Sequence, residues 1–463
     1  MTDSPLPANY YAHTAPVVTD WGKMIAFTPS VYFTPTSLDQ LQIFLTDVLN
    51  DPTPGKSLRF LGGLHSCSHI FDSDIVVDTS RLPLEFTVTP GPDGTAAVVA
   101  SAYMHAHDFL ARAAEYKVSL TALGGTDAQT LAGLISTNTA GATVTNSVYQ
   151  TLDWVEYLTV SDDGKSIVSR RVAKTDPAFQ AVVCSLGAMG FLTRVGFTLV
   201  PERFFEAKFY MRKVADVLGD VAKTCAENEF WRIEWLPGDL AHGLFWCANQ
   251  VAGGPRNPAG DYPVDGTEHI LTWIEKKDEQ WLGSGPFSNE ILIGIYEVIV
   301  LTYTATTNNG PMRNMIPCDR LAPMSVAMAE WSFNPADLTR AMDVCRAYFG
   351  AHKWPNLPVE IECTRTDSYM MSPWNWTGLP YIIKFNFQYL TDFLSEADKA
   401  AVITHLRGLW AAFDAAGIAF KAHWGKINFL TPDSVAGRYQ AAAFMPYVQP
   451  MFLNESLKSK LIG

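Results

Sequence analysis

The residues best suited to chemistry begin at Arg59-Phe60-Leu61-Gly62-Gly63-Leu64-His65-Ser66-Cys67-Ser68, where two glycines precede a histidine at the end of a predicted strand. Glycine permits positive φ and close approach of backbone N–H groups to an anion, and a neutral imidazole can serve as nucleophile, base or ligand. Such a turn could grip a phosphate and present a ring nitrogen at one place. An ordinary tight turn carrying a surface histidine has the same composition. A second segment, Leu123-Gly124-Gly125-Thr126-Asp127, leads into a run from Gln129 to Gly141 that includes Thr130, Gly133, Ser136, Thr137 and Asn138. It is too polar for a plain core element, and its small side chains would let the main chain approach a flat ligand or a pyrophosphate.

Other groups suit acid–base work. Glu360 and Glu362 are spaced by one residue within Val359-Glu360-Ile361-Glu362-Cys363, a predicted strand, so both carboxylates share a face. Like charges that close raise one pKa or require a cation between them. Lys384 and Asn386 share a face in the same way along Ile382 to Phe387, and His423-Trp424-Gly425-Lys426 adds an imidazole and an ammonium. His65, Cys67 and His69 alternate along an extended segment and can be read as metal ligands, but no fourth ligand cluster accompanies them, so no metal is expected. GxGxxG and Walker sequences are absent, which removes support for Rossmann and P-loop readings.

The elements that must position these groups follow from periodicity and punctuation. Residues 20 to 200 alternate short β-branched strands, glycine turns and brief helices, with a helix over Leu38 to Leu49 and strands at Ile75 to Asp78, Ala96 to Ala100, Trp154 to Val160 and Gly196 to Val200. Pro201-Glu202-Arg203 reads as a boundary. Beyond it two similar passages appear, each strand, helix, strand: Phe205 to Val214, Val217 to Asn228 and Trp231 to Trp235, then Met328 to Phe333, Pro335 to Tyr348 and Val359 to Cys363. A duplicated β-α-β unit predicts a sheet with helices on one face. A helix from Glu396 to Ala415 precedes the C-terminal motif. The expected division is 1–203, 204–419 and a C-terminal segment 420–463, with an α+β fold class.

At 463 residues the chain is long enough for two cored domains, and 48% hydrophobic with 17% charged residues is an ordinary globular balance. A net charge of -13 argues against nucleic acid or an anionic membrane as partner and favours a small neutral or cationic substrate. The beginning, Met1 to Pro7, lacks a secretory pattern, and the longest apolar run, Ile291 to Tyr303, is interrupted by Glu297 and too short to span a bilayer. Seven cysteines without CxxC spacing suit reduced thiols, and a cytoplasmic location is expected.

The His65 turn, the Gly124 to Gly141 segment, the later Ser185 to Thr193 and the His423 to Lys426 motif occur in the order found in FAD-linked oxidases of the vanillyl-alcohol oxidase superfamily. The sequence most resembles the aldonolactone oxidase and alditol oxidase branch, and Trp21-Gly22, Pro35 to Leu41 and Phe452-Leu453-Asn454-Glu455 extend the resemblance over nearly the whole chain. That likeness implies a two-lobed FAD-binding domain with an α/β substrate-capping domain. It also implies oxidation of an alcohol carbon of a polyol, sugar or lactone-like substrate by hydride transfer to flavin N5, with oxygen as acceptor. His65 matches the position bonded to the flavin 8α-methyl group, and Cys67 is expected to be a buried inert thiol. Cofactor contacts are implied at Leu61, Gly62, Gly63, Leu64, His65, Ser66, Ser68, His69, Gly124, Gly125, Thr126, Gln129, Thr130, Gly133, Ser136, Thr137, Asn138, Gly141, Gly190, Val195 and Lys426.

Lys426 would stabilise charge over flavin N1 and the C2 carbonyl, His423 would orient it or touch substrate, and Glu360 would hold or deprotonate the reacting hydroxyl. Two departures stand out: Glu362 occupies a place where lactone-oxidising relatives carry arginine, and Ala140 one where they carry histidine. Lys384 is expected to supply the missing cation. Lactone recognition by arginine does not carry over, and the acidic pair could instead bind polyol hydroxyls or an amine. Rival readings are a flavin dehydrogenase using a non-oxygen acceptor on an amino- or modified-sugar substrate, and a catalytically inactive flavin-binding protein. A metal-dependent hydrolase working through His65 and His69 is a third.

Overall fold

The computed structural model describes residues 15–51, 57–237, 241–253, 306–316, 325–352, 357–392 and 394–463. The sequence readings at Met1 to Pro7, Ile291 to Tyr303 and Cys318 lie outside these residues. The N-terminal lobe opens with a parallel sheet in the order Val31–Phe33, Ile75–Asp78, Leu58–Leu61. Helix Leu38–Leu49 packs on it because Leu41, Phe44 and Leu45 recur at helical spacing and bury against Ile75 and Val77. Ser37 starts the helix, its side chain accepting from the Gln40 backbone N–H at 3.1 Å. The last strand of this small sheet runs directly into the His65 turn.

A second, antiparallel sheet in the same lobe runs Ile167–Ala173, Leu152–Val160, Phe191–Pro201, Ala96–Ser101, Phe86–Pro90, with Val118–Ser119 pairing beside it on Phe191–Pro201. The short helix Leu131–Thr137 carries the small polar residues of the second glycine segment and buries Leu131, Leu134 and Ile135. It begins at Thr130, whose hydroxyl accepts from the Gly133 backbone N–H at 3.1 Å.

The capping domain is an eight-stranded antiparallel sheet in the spatial order Thr306–Pro311, Phe204–Lys213, His242–Val251, Phe230–Trp235, Val359–Arg365, Tyr381–Leu390, Val326–Phe333, Phe420–Ala422. The duplication is present, but each unit is β-α-β-β: a third strand slots between the first two, so the strands joined through helices are not neighbours. The units meet at the pair Phe230–Trp235 and Val359–Arg365, with Ile233 opposite Ile361. The helix expected over Val217 to Asn228 is two, Val214–Leu218 and Val221–Glu227, because Asp220 starts a fresh cap by accepting from the Lys223 N–H at 3.0 Å.

Strand alternation divides this sheet chemically. Trp331, Phe333, Phe385 and Phe387 bury on one face against Leu406, Trp410 and Phe413 of helix Glu396–Ala415. Each such side chain contributes roughly 1.5–3 kcal/mol of apolar transfer. Residues offset by one position, including Arg232, Glu330, Glu360, Glu362, Lys384 and Asn386, face the opposite side. Phe420–Ala422 pairs with Val326–Phe333, so the first residues of the expected C-terminal segment belong to the cap sheet. After residue 422 the chain returns to the N-terminal lobe. No helix among the described residues is long and apolar enough to cross a membrane.

Candidate active site

Two cavities share a wall at Gln129. The larger, ≈ 200 Å³, sits between the Gly124 loop and the polar face of the cap sheet. The smaller, ≈ 120 Å³, runs along the His65 turn and helix Leu131–Thr137. Gln129 lines both. All six groups expected to act on substrate, Glu360, Glu362, Lys384, Asn386, His423 and Lys426, line the larger cavity, together with Gly124, Gly125 and Thr126. The smaller one gathers Leu61, Gly62, Gly63, Leu64, His65, Ser66, Thr130, Gly133, Ser136, Thr137 and Gly190.

Close backbone approach builds the smaller cavity. A Cβ on Gly63 would lie 2.4 Å from the Ala128 carbonyl oxygen, and one on Gly190, at φ +144°, would lie 2.1 Å from that of Leu158. Glycine is the residue that fits there. The C-terminal motif is tied to the same turn: the Cys67 N–H donates to the Gly425 carbonyl at 2.8 Å, and the Ser68 hydroxyl to that of Trp424 at 2.6 Å.

His65 Nδ1 lies 3.1 Å from the Gly63 carbonyl, which assigns the ring proton to Nδ1 and the lone pair to Nε2. The ring stacks on Trp21 at a centroid distance of 4.9 Å and 5° between planes. Burial lowers its pKa, and Lys426 and His105 push the same way, so the imidazole is held neutral. Burial pushes the Cys67 thiol up to about 11, which keeps it a thiol.

Five residues expected to touch a cofactor are turned to other tasks. Ser68 holds Trp424, and His69 sits at the surface 2.8 Å from Asp72. Asn138 caps its helix at φ +56° and donates to Asp367 and Ser372. Gly141 packs under the Leu123 carbonyl, and Val195 is buried between Ala100 and Val155 of flanking strands. Segment 65–68 is not a strand, so His65, Cys67 and His69 do not share a face. Among the described residues no group of three His, Cys, Asp or Glu could hold a metal ion.

The charges of the larger cavity form two sets. Glu360 Oε1 lies 3.3 Å from Arg232 Nε, and its Oε2 accepts from Asn386 and Gln388, each at 3.1 Å. Lys384, 2% exposed, bridges Glu362 and Glu330, the latter at 3.3 Å, and reaches the Ala140 carbonyl at 3.5 Å. The cation that Glu362 lacks in its own strand therefore comes from the neighbouring one. Burial raises the Glu362 carboxyl to about 7, against the opposing pull of Lys384. Burial also acts upward on Glu330, but Lys384, His423 and Lys426 outweigh it and hold Glu330 below the usual range.

His423 is pushed down to about 4, chiefly by burial, and its Nδ1 accepts from the Gly425 N–H at 3.1 Å. It is neutral, with its proton on Nε2. Lys426 makes no ion pair among the described residues, its Nζ resting 3.3 Å from Met328 Sδ. Arg232, Glu234, Glu330, Gln388 and Trp246 also line this cavity and were not among the site residues expected from sequence; Trp21 lines it too, and was noted only as part of the opening motif. For Arg232, Glu234 and Glu330 the signal was the same alternation that exposed Glu360 and Glu362, present in Trp231-Arg232-Ile233-Glu234-Trp235 and Met328-Ala329-Glu330-Trp331.

The whole architecture matches solved cholesterol oxidases. The enzyme from B. sterolicum superposes with a TM-score of 0.73 over 100% of both chains at 13% identity. A solvent-stable cholesterol oxidase gives 0.72 over 98% of this chain and 99% of its own at 14% identity. This chain has the vanillyl-alcohol oxidase fold. In sequence the chain is similar to sugar-lactone oxidases. D-arabinono-1,4-lactone oxidase of Saccharomyces cerevisiae is 24% identical over 382 residues, 79% of this chain and 69% of that protein. Its counterpart in Yarrowia lipolytica is 21% identical over 51% of this chain and 44% of its own. L-gulonolactone oxidase of Bos taurus is 22% identical over 47% and 48% respectively. The chain thus spans about half the length of most of these relatives. No family model matches it.

Proposed function

We propose that this chain is an FAD-dependent oxidase that oxidises an alcohol carbon of a small, hydroxyl-rich substrate. The observation that carries the reading is convergence: four cap-sheet side chains and two from the C-terminal motif meet the glycine loop in one cavity, which continues into a glycine-walled groove. The residues fit the cofactor. Glycines whose Cβ atoms would strike main chain leave room for a nucleotide in the smaller cavity, and Trp21, Leu123 and Gly124 offer flat apolar walls in the larger. Bound FAD supplies a two-electron acceptor.

The protein's own groups then divide the work on substrate. Asn386 Oδ1 is buried without a hydrogen-bond partner among the described residues, so a substrate hydroxyl donating to it would satisfy an otherwise costly group. Glu360 is fixed by Arg232, Asn386 and Gln388 and acts as an orienting acceptor. Glu362 engages Lys384 through Oε1, while its other oxygen has no hydrogen-bond partner among the described residues. With a carboxyl near neutrality it is suited to take the hydroxyl proton. Lys426 contributes a positive charge that stabilises negative charge accumulating in the cavity. His423 donates from Nε2 and does not titrate near neutral pH.

His65, neutral and with its lone pair on Nε2, is suited to a covalent bond with the cofactor. The test is direct. Acid-precipitated protein keeps yellow colour in the pellet if the bond exists. A panel of polyols, sugar lactones and amino sugars should bleach the flavin band in the absence of air, and air should restore it. No bleaching with any member defeats the enzyme reading, and bleaching without recovery in air replaces the oxidase by a dehydrogenase.

A further inference from the structure

The smaller cavity contains a charge imbalance. Among the described residues lining it there is no Asp, Glu or Lys, and Arg59 is the single arginine. His65 and Tyr103, the other ionisable groups of its wall, are both kept neutral by burial, which lowers the imidazole and raises the phenol. Arg59 is 7% exposed and lies in the strand leading to the His65 turn. Its Nη1 donates to the Phe452 carbonyl at 2.6 Å and its Nη2 to the Leu186 carbonyl, but no carboxylate among the described residues lies within ion-pair distance. Nε is buried with no hydrogen-bond partner among the described residues.

Asp72, the acid whose charge Arg59 feels, is committed to His69 at 2.8 Å and to the Asn454 side-chain amide at 3.1 Å. A buried cation without a counter-ion is costly and persists where something else repays it. The guanidinium lies directly behind Gly187, where a Cβ would come 3.0 Å from Nη2, so any larger residue at that position would press on it.

We propose that Arg59 is the counter-charge for the anionic part of the cofactor, a diphosphate seated in this cavity. The assignment rests on the flavin reading above and adds to it a residue and a ligand chemistry. The cavity offers the guanidinium together with hydroxyls of Ser66, Thr130 and Ser136, which are donors suited to phosphoryl oxygens. It adjoins the larger cavity at Gln129, so one extended ligand with a charged middle and a planar end can occupy both. Arg59 also pins Phe452 of the C-terminal segment to the Leu186 loop, which makes it a positioning residue for the cavity wall as well as a source of charge.

Reversible binding is measured in a His65→Ala background, where no bond to His65 can retain the flavin. Arg59→Gln should weaken FAD binding about ten- to hundredfold, the range for losing contacts to a charged group. Riboflavin, which has no phosphate, should bind within about twofold of the parent, and the salt dependence of FAD affinity should flatten. Arg59→Lys, which keeps charge without the planar fork, should fall between. FAD binding by Arg59→Gln as tight as by the parent overturns the assignment. So does an equal loss of FAD and riboflavin, which marks collapse of the cavity wall. If the parent binds neither flavin, the flavin reading fails, and inorganic pyrophosphate becomes the probe. Protection from thermal unfolding by pyrophosphate that depends on Arg59 then sustains the charge assignment, and its absence overturns it.

Discussion

Replacing Lys384 with methionine gives the sharpest test of the cap-sheet electrostatics. The ammonium is 2% exposed and bridges Glu362 and Glu330, so the variant leaves two buried carboxylates sharing no cation. Removing one partner of a buried ion pair costs about 3–5 kcal/mol, and methionine restores most of the lost packing, so about 3 kcal/mol of destabilisation at pH 8 is expected. Glu362 already sits near 7 because burial exceeds the help it receives from Lys384; without Lys384 it must rise further. The sign of the linkage follows. A carboxyl raised in the folded state favours folding while protonated, so its contribution is complete below the unfolded value of about 4.5 and is lost as pH climbs through the folded value.

The Lys384→Met penalty should therefore be smaller at pH 5 than at pH 8. With Glu362 as the proposed base, turnover requires its ionised form, so the rising limb of the rate against pH should move to higher pH by about one unit or more. Urea unfolding at both pH values, and anaerobic flavin bleaching by substrate across pH, measure the two effects. The double variant Lys384→Met/Glu362→Gln should recover part of the stability at pH 8, because it removes the stranded charge as well as its partner. An unchanged urea midpoint at pH 8 together with an unmoved rate limb would refute the reasoning.

Three further outcomes are expected. Lys426→Met should retain flavin yet slow its bleaching by substrate about a hundredfold, the scale of losing one preorganised charge, and normal bleaching would remove Lys426 from its role. In His65→Ala, acid precipitation should leave yellow colour in the supernatant while the folded protein still binds flavin; colour in the pellet would place the bond elsewhere. Arg232→Ala should raise KM by about tenfold or more with a smaller change in kcat, because Glu360 loses a guanidinium partner but keeps Asn386 and Gln388, and Arg232→Lys should recover little of it. A variant with unchanged KM would show that Arg232 serves the fold alone.

Local structure was largely legible from the sequence. Helices Leu38–Leu49 and Glu396–Ala415 begin and end where apolar spacing and the serine caps Ser37 and Ser395 place them, because capping and periodicity act within a few residues. Strand Ile75–Asp78 and the shared face of Glu360 and Glu362 follow from composition and the two-residue repeat. The glycine turn at His65 was recognisable because close backbone approach demands that residue type.

Partnerships were decided only in three dimensions. Arg232 meets Glu360 because two units of the cap, distant in sequence, pair through Ile233 and Ile361, and that register is set by the whole sheet. Lys384 lies between Glu362 and Glu330 for the same reason, with strand Tyr381–Leu390 inserted between the strands that carry them. Ser68, His69, Asn138, Gly141 and Val195 lie in or beside the segments expected to hold a cofactor but do not line either cavity, since a one-residue change of facing cannot be read from types alone. Arg59 looks like any strand arginine in the sequence. Its isolation from carboxylates is a property of everything packed around it, and only the folded chain assembles that surrounding.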